Sequence, residues 1–295
     1  MNDPITIQDV EKTVGGLTVS IPHMTIPVGT ICALVGTNGA GKSTLFKMIM
    51  NLVKPDKGTI SIFGKPVNGD DEDWKSHLSY QSQQMDGADF LTGEDLRLLM
   101  SRYYLDWDES LFQRVVSTLD IPLNKKGKKL SPGMQAKLSI ALTLGCNASV
   151  LLLDEPTASM DIRSRKLVID LLAEIMETGE KTILLATHHV DDLKKLADYL
   201  IFFDGDEVGE PVEKDELVAS HRLLWLDQPV PFDEPLPGEL KRTYGKVILT
   251  NDPDQTRDAL GQHAISIVEE QVPDLETVVT ELLIKGEKHD AKNHS

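Results

Sequence analysis

Cysteine is nearly absent from this sequence: Cys32 and Cys146 are the only two in 295 residues. They lie far apart in apolar surroundings. That excludes a disulfide framework or a cysteine-ligated metal centre and points to small core residues in a reducing compartment. Long hydrophobic runs are missing as well. No stretch approaches the roughly 18 apolar residues of a membrane-spanning helix, so the chain is not expected to cross a bilayer. Met1-Asn2-Asp3-Pro4 lacks the basic start and apolar core of a signal peptide, which makes a cytoplasmic location the expectation. Basic residues are short too, 30 against 47 acidic, for a formal charge of −17. Such a surface repels nucleic acid, and no basic face advertises itself to offset it, so a nucleic-acid partner is not expected.

The length suits one large domain with a small one beside it. Two charge runs interrupt an otherwise ordinary composition, Asp70-Asp71-Glu72-Asp73 and Lys125-Lys126-Gly127-Lys128-Lys129. Both read first as solvated loops. The basic run immediately precedes a motif at Leu130, which leaves a phosphate- or headgroup-facing role open.

Residues 5–35 alternate apolar and polar positions around a Gly15-Gly16 turn, the pattern of antiparallel strands. Ile31-Cys32-Ala33-Leu34-Val35 is a continuous apolar run suited to a strand buried on both faces. A glycine-rich loop follows, then a helix with Leu45, Phe46, Ile49, Met50 and Val53 on one broad face, expected to stop before Pro55. Strand, loop and helix in this order open a parallel α/β sheet. From about 86 to 145 the periodicity is helical. Buried strands return at Val150–Leu153, Thr182–Ala186 and Tyr199–Phe203, with a helix around Leu167–Met176. The large domain is therefore expected over 1–212, as a parallel-sheet core with a helical insertion. Beyond it, strand-like segments at Arg222–Leu226, Lys246–Thr250 and Ala264–Val268, with turns rich in Pro and Asp and a closing helix, predict a small α+β unit over 213–286. Residues 287–295 are polar and are expected to be disordered.

Gly36-Thr37-Asn38-Gly39-Ala40-Gly41-Lys42-Ser43 matches a phosphate-binding loop, and Thr44 follows it into the helix. Glycines let backbone N–H groups converge on phosphates, and the helix N-terminus adds its dipole. Lys42 supplies a point charge to the phosphates, and Ser43 a hydroxyl for Mg²⁺. An ordinary glycine turn is the bland alternative, but the position between a buried strand and an amphipathic helix opposes it. Leu151-Leu152-Leu153-Asp154-Glu155 ends a buried strand in paired carboxylates. Asp154 is suited to hold Mg²⁺, and Glu155, one residue on, to act as general base on a water attacking the γ-phosphate.

Leu130-Ser131-Pro132-Gly133-Met134-Gln135 resembles the signature of the ABC transporter ATP-binding subunits, and it stands upstream of the acidic strand where that family has it. The other family elements follow in order. Gln83 matches the Q-loop glutamine, with Gln81 and Gln84 as alternatives in register; Ala158-Ser159-Met160-Asp161 matches the D-loop; and Thr187-His188 ends a strand where the switch histidine belongs. The resemblance covers essentially residues 5–212. It implies a P-loop NTPase cassette that binds ATP and Mg²⁺, with Glu155, His188 and Gln83 in hydrolysis and Ser43, Gln83 and Asp154 around the metal. It also implies that Ser131, Gly133 and Asp161 act on nucleotide across a head-to-tail dimer, formed with itself or with a paralogous ATPase subunit. The partner it implies is an integral-membrane permease, with this chain peripheral at the inner face of the membrane.

Pro132 and Met134 depart from the usual signature, yet the Ser131 hydroxyl and the Gly133 backbone remain. The aromatic residue that the family stacks on adenine is absent near Val14. Base stacking there is weaker, or a partner or the C-terminal unit supplies it. Leu91-Thr92-Gly93-Glu94-Asp95-Leu96 and Val272-Pro273-Asp274-Leu275-Glu276 resemble segments of bacterial exporter ATPases, including those of antibiotic and peptide efflux. The alternative is a soluble ABC ATPase acting as a non-transport mechanochemical switch or regulator. One phosphate loop, no heptads and the acidic charge oppose it.

Overall fold

The computed structural model describes residues 3–83, 85, 87–204 and 207–293, with 204, 207 and 285–293 described by backbone alone. Gln84 and Asp86, named above as a register alternative and as the start of the helical stretch, lie outside these residues. The chain divides into two compact units, Met1–Pro211 and Val212–Ser295.

In the first unit β1 (Ile5–Val14) and β2 (Leu17–Ile26) form an antiparallel hairpin. Its turn is Gly15-Gly16, both at positive φ, which glycine adopts without steric penalty. β3 (Ile31–Gly36) and α1 (Lys42–Ile49) follow, then the antiparallel β4 (Lys57–Ile62) and the short β5 (Lys65–Pro66). β6 (Leu78–Gln81) leads into three helices, α2 (Gly93–Tyr103), α3 (Glu109–Thr118) and α4 (Pro132–Gly145). The chain then alternates through β7 (Val150–Asp154), α5 (Ile162–Met176), β8 (Thr182–Ala186), α6 (Val190–Leu196), β9 (Tyr199–Asp204) and β10 (Glu207–Val208).

The strands run in the order β5-β4-β1-β2-β10-β9-β3-β8-β7-β6. From β9 to β6 every neighbour pair is parallel. Both faces of this parallel part are covered, which explains why its strands read as unbroken apolar runs. Val150, Leu152, Leu184 and Ile201 join one core with α1 and the hairpin, while Leu151, Leu153, Ile183 and Leu185 join a second with α3, α4 and α5. Cys32 and Cys146 are buried and unbridged, and burial pushes both thiols up to about 12. Trp107 packs so closely on α4 that a Cβ on Gly145 would lie 2.7 Å from its ring.

One local expectation is corrected in this unit and another is borne out. The helix after the glycine loop ends at Ile49 rather than running to Pro55, so Val53 lies outside it and packs on the core from a turn. Asn51 causes the stop. It takes a left-handed conformation (φ 56°), and the turn is closed by hydrogen bonds from Leu52 N and Val53 N to Lys47 O. The acidic run is a solvated loop pinned by ion pairs: Asp71 and Asp73 both meet Lys65, and Glu72 meets Lys75.

The second unit contains β11 (Val212–Glu213), α7 (Lys214–Ser220), β12 (Arg222–Leu226), β13 (Glu239–Thr243), β14 (Val247–Thr250), α8 (Pro253–Gln262), β15 (Ile267–Gln271) and α9 (Leu275–Asn293). Its four-stranded sheet is antiparallel, in the order β13-β14-β12-β15. Leu224, Ile248, Leu260 and Ile265 form its core. The strand expected over Ala264–Val268 is shifted to Ile267–Gln271, because Ala264 takes a left-handed turn conformation (φ 55°). Asp252-Pro253 is not a turn but a helix start. Asp252 caps the N–H of Gln255 and Pro253 occupies the first helical position. The tail expected to be disordered from Glu287 continues α9 to Asn293. No proline follows Gly286 to break the helical backbone.

Candidate nucleotide site

Parallel strands all deliver their C-terminal ends to one edge of the sheet, which is where open α/β sheets place ligands. Here β3, β6, β7 and β8 deliver Gly36, Gln81, Asp154 and Ala186 to that edge. The loops that follow enclose a cavity of about 300 Å³. Asn38, Gly39, Gly41, Lys42, Ser43 and Thr44 form its floor, and Gln83, Asp154 and Glu155 close it.

Gly41 is fixed by geometry. Its φ is +100°, and an added Cβ would stand 2.4 Å from Cγ2 of the buried Val19. The glycine loop is thus moulded against β2. Lys42 opens α1 and is itself buried, with its ammonium donating to Gly36 O at 2.7 Å and Thr37 O at 2.8 Å. Burial lowers its pKa, and the carboxylates of Glu155 and then Asp154 pull in the opposite direction. Gly36, Thr37 and Ala40 shape the loop without lining the cavity. Ala40 N donates to Thr37 O.

Asp154 is buried and accepts a hydrogen bond from Tyr80 Oη at 3.3 Å, and burial followed by the Asp154 charge raises the Tyr80 pKa. Glu155 is buried with φ 51°, a strained conformation for a residue with a side chain. Its backbone N–H donates to Ala186 O at 2.9 Å, which ties β7's end to β8's. Its Oε2 lies 2.8 Å from His188 Nδ1. That separation joins the two groups, but the oxygen lacks a partner with hydrogen-bond alignment and so retains accepting capacity. The His188 ring also packs on His189 at 4.1 Å between centroids. Burial, then the neighbouring His188, lowers the His189 pKa.

Gln83 is exposed and lines this cavity together with a second one bounded by Pro132, Gln135 and Ser159. Gln81 is buried at the end of β6 with its amide on Ser82 O, so among the described residues the cavity-lining glutamine is Gln83. Ser131, Gly133 and Asp161 are not brought into the first cavity. Ser131 caps α4 through Met134 N, with Pro132 at the first helical position. A Cβ on Gly133 would lie 2.6 Å from Ser159 O, so the signature and the D-loop approach backbone to backbone. Asp161 caps α5, accepting from Ser164 N at 2.9 Å and Ser164 Oγ at 2.6 Å. Those bonds hold its carboxyl below the usual range.

The two segments likened to exporters have local structural roles. Thr92 and Asp95 form a capping box at α2, and Asp274 accepts from Thr277 N at the start of α9. The basic run is tethered to the segment after Gln83. Gly127 N donates to Leu91 O, Lys128 N to Asp89 O, and the Lys128 ammonium sits 4.8 Å over Phe90. Val14, at 50% exposure on the hairpin, offers no aromatic face. The sequence reading missed Thr157, Arg165 and Asp192, and their meeting with Thr187, the residue before His188. No local signal could reveal that meeting, because the residues come from four separate segments.

The donor set suits a hard divalent cation bound chiefly through phosphate and water. Ser43, Gln83 and Asp154 offer a hydroxyl, an amide and one carboxylate, and among the described residues no group of three or more His, Cys, Asp or Glu is arranged to hold a metal ion by itself.

The family model described as ABC transporter matches residues 19–158. Nod factor export ATP-binding protein I of Burkholderia orbicola is 35% identical over 216 residues, covering 70% of each chain. The protein of the same name from Rhizobium etli is 29% identical over 299 residues, 94% of this chain and 92% of its own. A dimeric ATP-binding cassette solved in a post-hydrolysis state with ADP and Pi superposes with a TM-score of 0.61 at 22% identity, covering 71% of this chain and 98% of that one.

Proposed function

The chain belongs to the ABC transporter ATP-binding family, and from that membership we propose that it is an exporter's ATPase subunit, dimerising on MgATP to drive a membrane permease. The observation that carries the reading is the convergence of Lys42, Gln83, Asp154 and Glu155 on one cavity. ATP binding and hydrolysis follow from the family; the residue roles are inferred from this geometry.

The loop amides and the N-terminus of α1 receive the phosphates, and Lys42 holds a positive charge against them. Ser43, Gln83 and Asp154 would hold Mg²⁺, which would neutralise charge on the phosphate oxygens. Glu155 accepts the proton of the water that attacks the γ-phosphorus as the bond to ADP breaks, using the Oε2 that lacks an aligned partner. His188 Nδ1 stands 2.8 Å from that oxygen on its solvent side.

The cavity of one chain lacks the signature residues. Ser131 and Pro132 are exposed at the N-terminus of α4, where a second subunit's γ-phosphate would meet Ser131 and the Gly133 N–H. Hydrolysis removes those contacts and lets the halves part. Among the described residues no helix is long and apolar enough to cross a membrane. The separate permease, and this chain's place against the membrane's inner face, are inferred from the relatives' printed export function. Support for export comes from the relatives' printed function, since capping accounts for the exporter-like segments.

Glu155→Gln tests the reading. It should lower hydrolysis by about 10²-fold or more while giving an MgATP-dependent dimer in light scattering. Hydrolysis at the parental rate would show that Glu155 is not the base. Affinity capture from detergent-solubilised membranes should recover a polytopic permease, and recovery of soluble partners alone would overturn the transport assignment.

A further inference from the structure

Asp192 lies in α6 and is 1% exposed, yet it is an acid with no contact to the nucleotide cavity. Its Oδ1 accepts from Arg165 Nε at 2.9 Å, and its Oδ2 from Thr157 Oγ1 at 2.9 Å and Thr187 Oγ1 at 3.5 Å. Thr157 follows Glu155 after a single proline, and Thr187 immediately precedes His188. Thr187 Oγ1 in turn accepts from His189 N at 3.1 Å, so that hydroxyl is bonded on both sides. Arg165 belongs to α5, the helix that Asp161 caps.

One buried carboxylate thus ties together the loop after β7, the loop after β8 and the start of α5. A buried anion is tolerated only when it is paired and hydrogen-bonded, and here the two threonine bonds land on segments flanking the catalytic pair while Arg165 reaches in from α5. The Glu155–His188 separation of 2.8 Å bridges the same two loops, and Glu155 is strained at φ 51°. Strained residues persist where their surroundings over-determine them, and the bonds to Asp192 supply that constraint from behind.

We propose that Asp192 is a positioning residue for hydrolysis, setting the geometry of the Glu155–His188 pair through Thr157 and Thr187, with Arg165 neutralising its charge. This rests on the assignment of Glu155 and His188 to hydrolysis. Displacing a reacting group by about 1 Å costs on the order of 100-fold in rate. Nucleotide binding depends on the glycine loop and Asp154, which Asp192 does not touch.

The test is Asp192→Asn, nearly isosteric, measured for kcat, for MgATP affinity by calorimetry and for melting temperature. Its kcat should fall about 10- to 100-fold with MgATP affinity within about twofold of the parent. In the Glu155→Gln background the same change should lower the residual rate less than about twofold, because the group it positions is already gone. Should Asp192→Asn fail to fold, Thr157→Val against Thr157→Ser decides: loss of the hydroxyl lowers kcat, and serine retains it. Parental kcat in D192N or T157V overturns the proposal. So does an equal fold-loss in both backgrounds, or a loss confined to MgATP affinity. Parental hydrolysis in Glu155→Gln would instead overturn the base assignment beneath it.

Discussion

Replacing Gly41 by alanine probes the nucleotide loop where its shape is most constrained. The new methyl would stand 2.4 Å from Val19 Cγ2, well inside van der Waals contact, and Val19 is 3% exposed between β2 and the core. The φ of +100° adds strain of about 1–2 kcal/mol for a residue with a Cβ. Forcing a methyl into a packed site adds about 1–3 kcal/mol. The two effects together predict about 2–5 kcal/mol of destabilisation of the first unit, or relief of the clash by opening the loop and losing MgATP affinity. Adding Val19→Ala separates the terms. It removes the methyl that collides, so the double variant should be more stable than the sum of the singles by about 1–3 kcal/mol, while the φ strain remains. Thermal and urea unfolding by circular dichroism, with MgATP affinity by calorimetry, read both quantities. Parental stability and affinity in Gly41→Ala, or strict additivity with Val19→Ala, would refute the account.

Gly133→Ala places a Cβ 2.6 Å from Ser159 O, a backbone atom that cannot rotate away. The signature and D-loop segments must part, so ATP-driven dimerisation in light scattering should weaken while MgATP binding to the single chain persists. His221 is buried, its Nδ1 2.7 Å from Leu217 O, and burial lowers its pKa below the ordinary imidazole value of 6.5. The unfolded chain therefore takes up this proton first as pH falls. Stability of the second unit is full above pH 6.5 and declines below it until the folded imidazole also protonates. Trp225 fluorescence during urea unfolding at successive pH values should show that decline, and His221→Phe should flatten it.

Much of the site was legible in the sequence because its chemistry is local. The glycine loop needs consecutive residues with special φ and close approach, so Gly36 to Ser43 appear as one string. Asp154-Glu155 and Thr187-His188 end strands recognisable from unbroken apolar runs. The second unit was less legible. Glu239–Thr243 carries no apolar alternation, and its strand exists because β14 offers it a hydrogen-bonded edge. Asp252-Pro253 reads equally as a turn or as a helix start, and only the cap to Gln255 N decides. The exporter-like LTGEDL segment shows the reverse case: a string that resembles a family mark is accounted for by the capping box of Thr92 and Asp95.

The sequence by itself determined the parallel-sheet core, the phosphate loop, the paired carboxylates and the order of the family's motifs, since each rests on residue types at fixed short spacing. Tertiary structure alone decided which of these meet. It brought Gln83 rather than Gln81 to the cavity, set Glu155 against His188, and kept Ser131, Gly133 and Asp161 out of the single-chain site. It also gathered Thr157, Arg165 and Thr187 on Asp192. The physical reason is that parallel strands carry segments distant in sequence to one edge of a sheet. Contacts made there depend on strand order and register, which no short stretch of sequence contains.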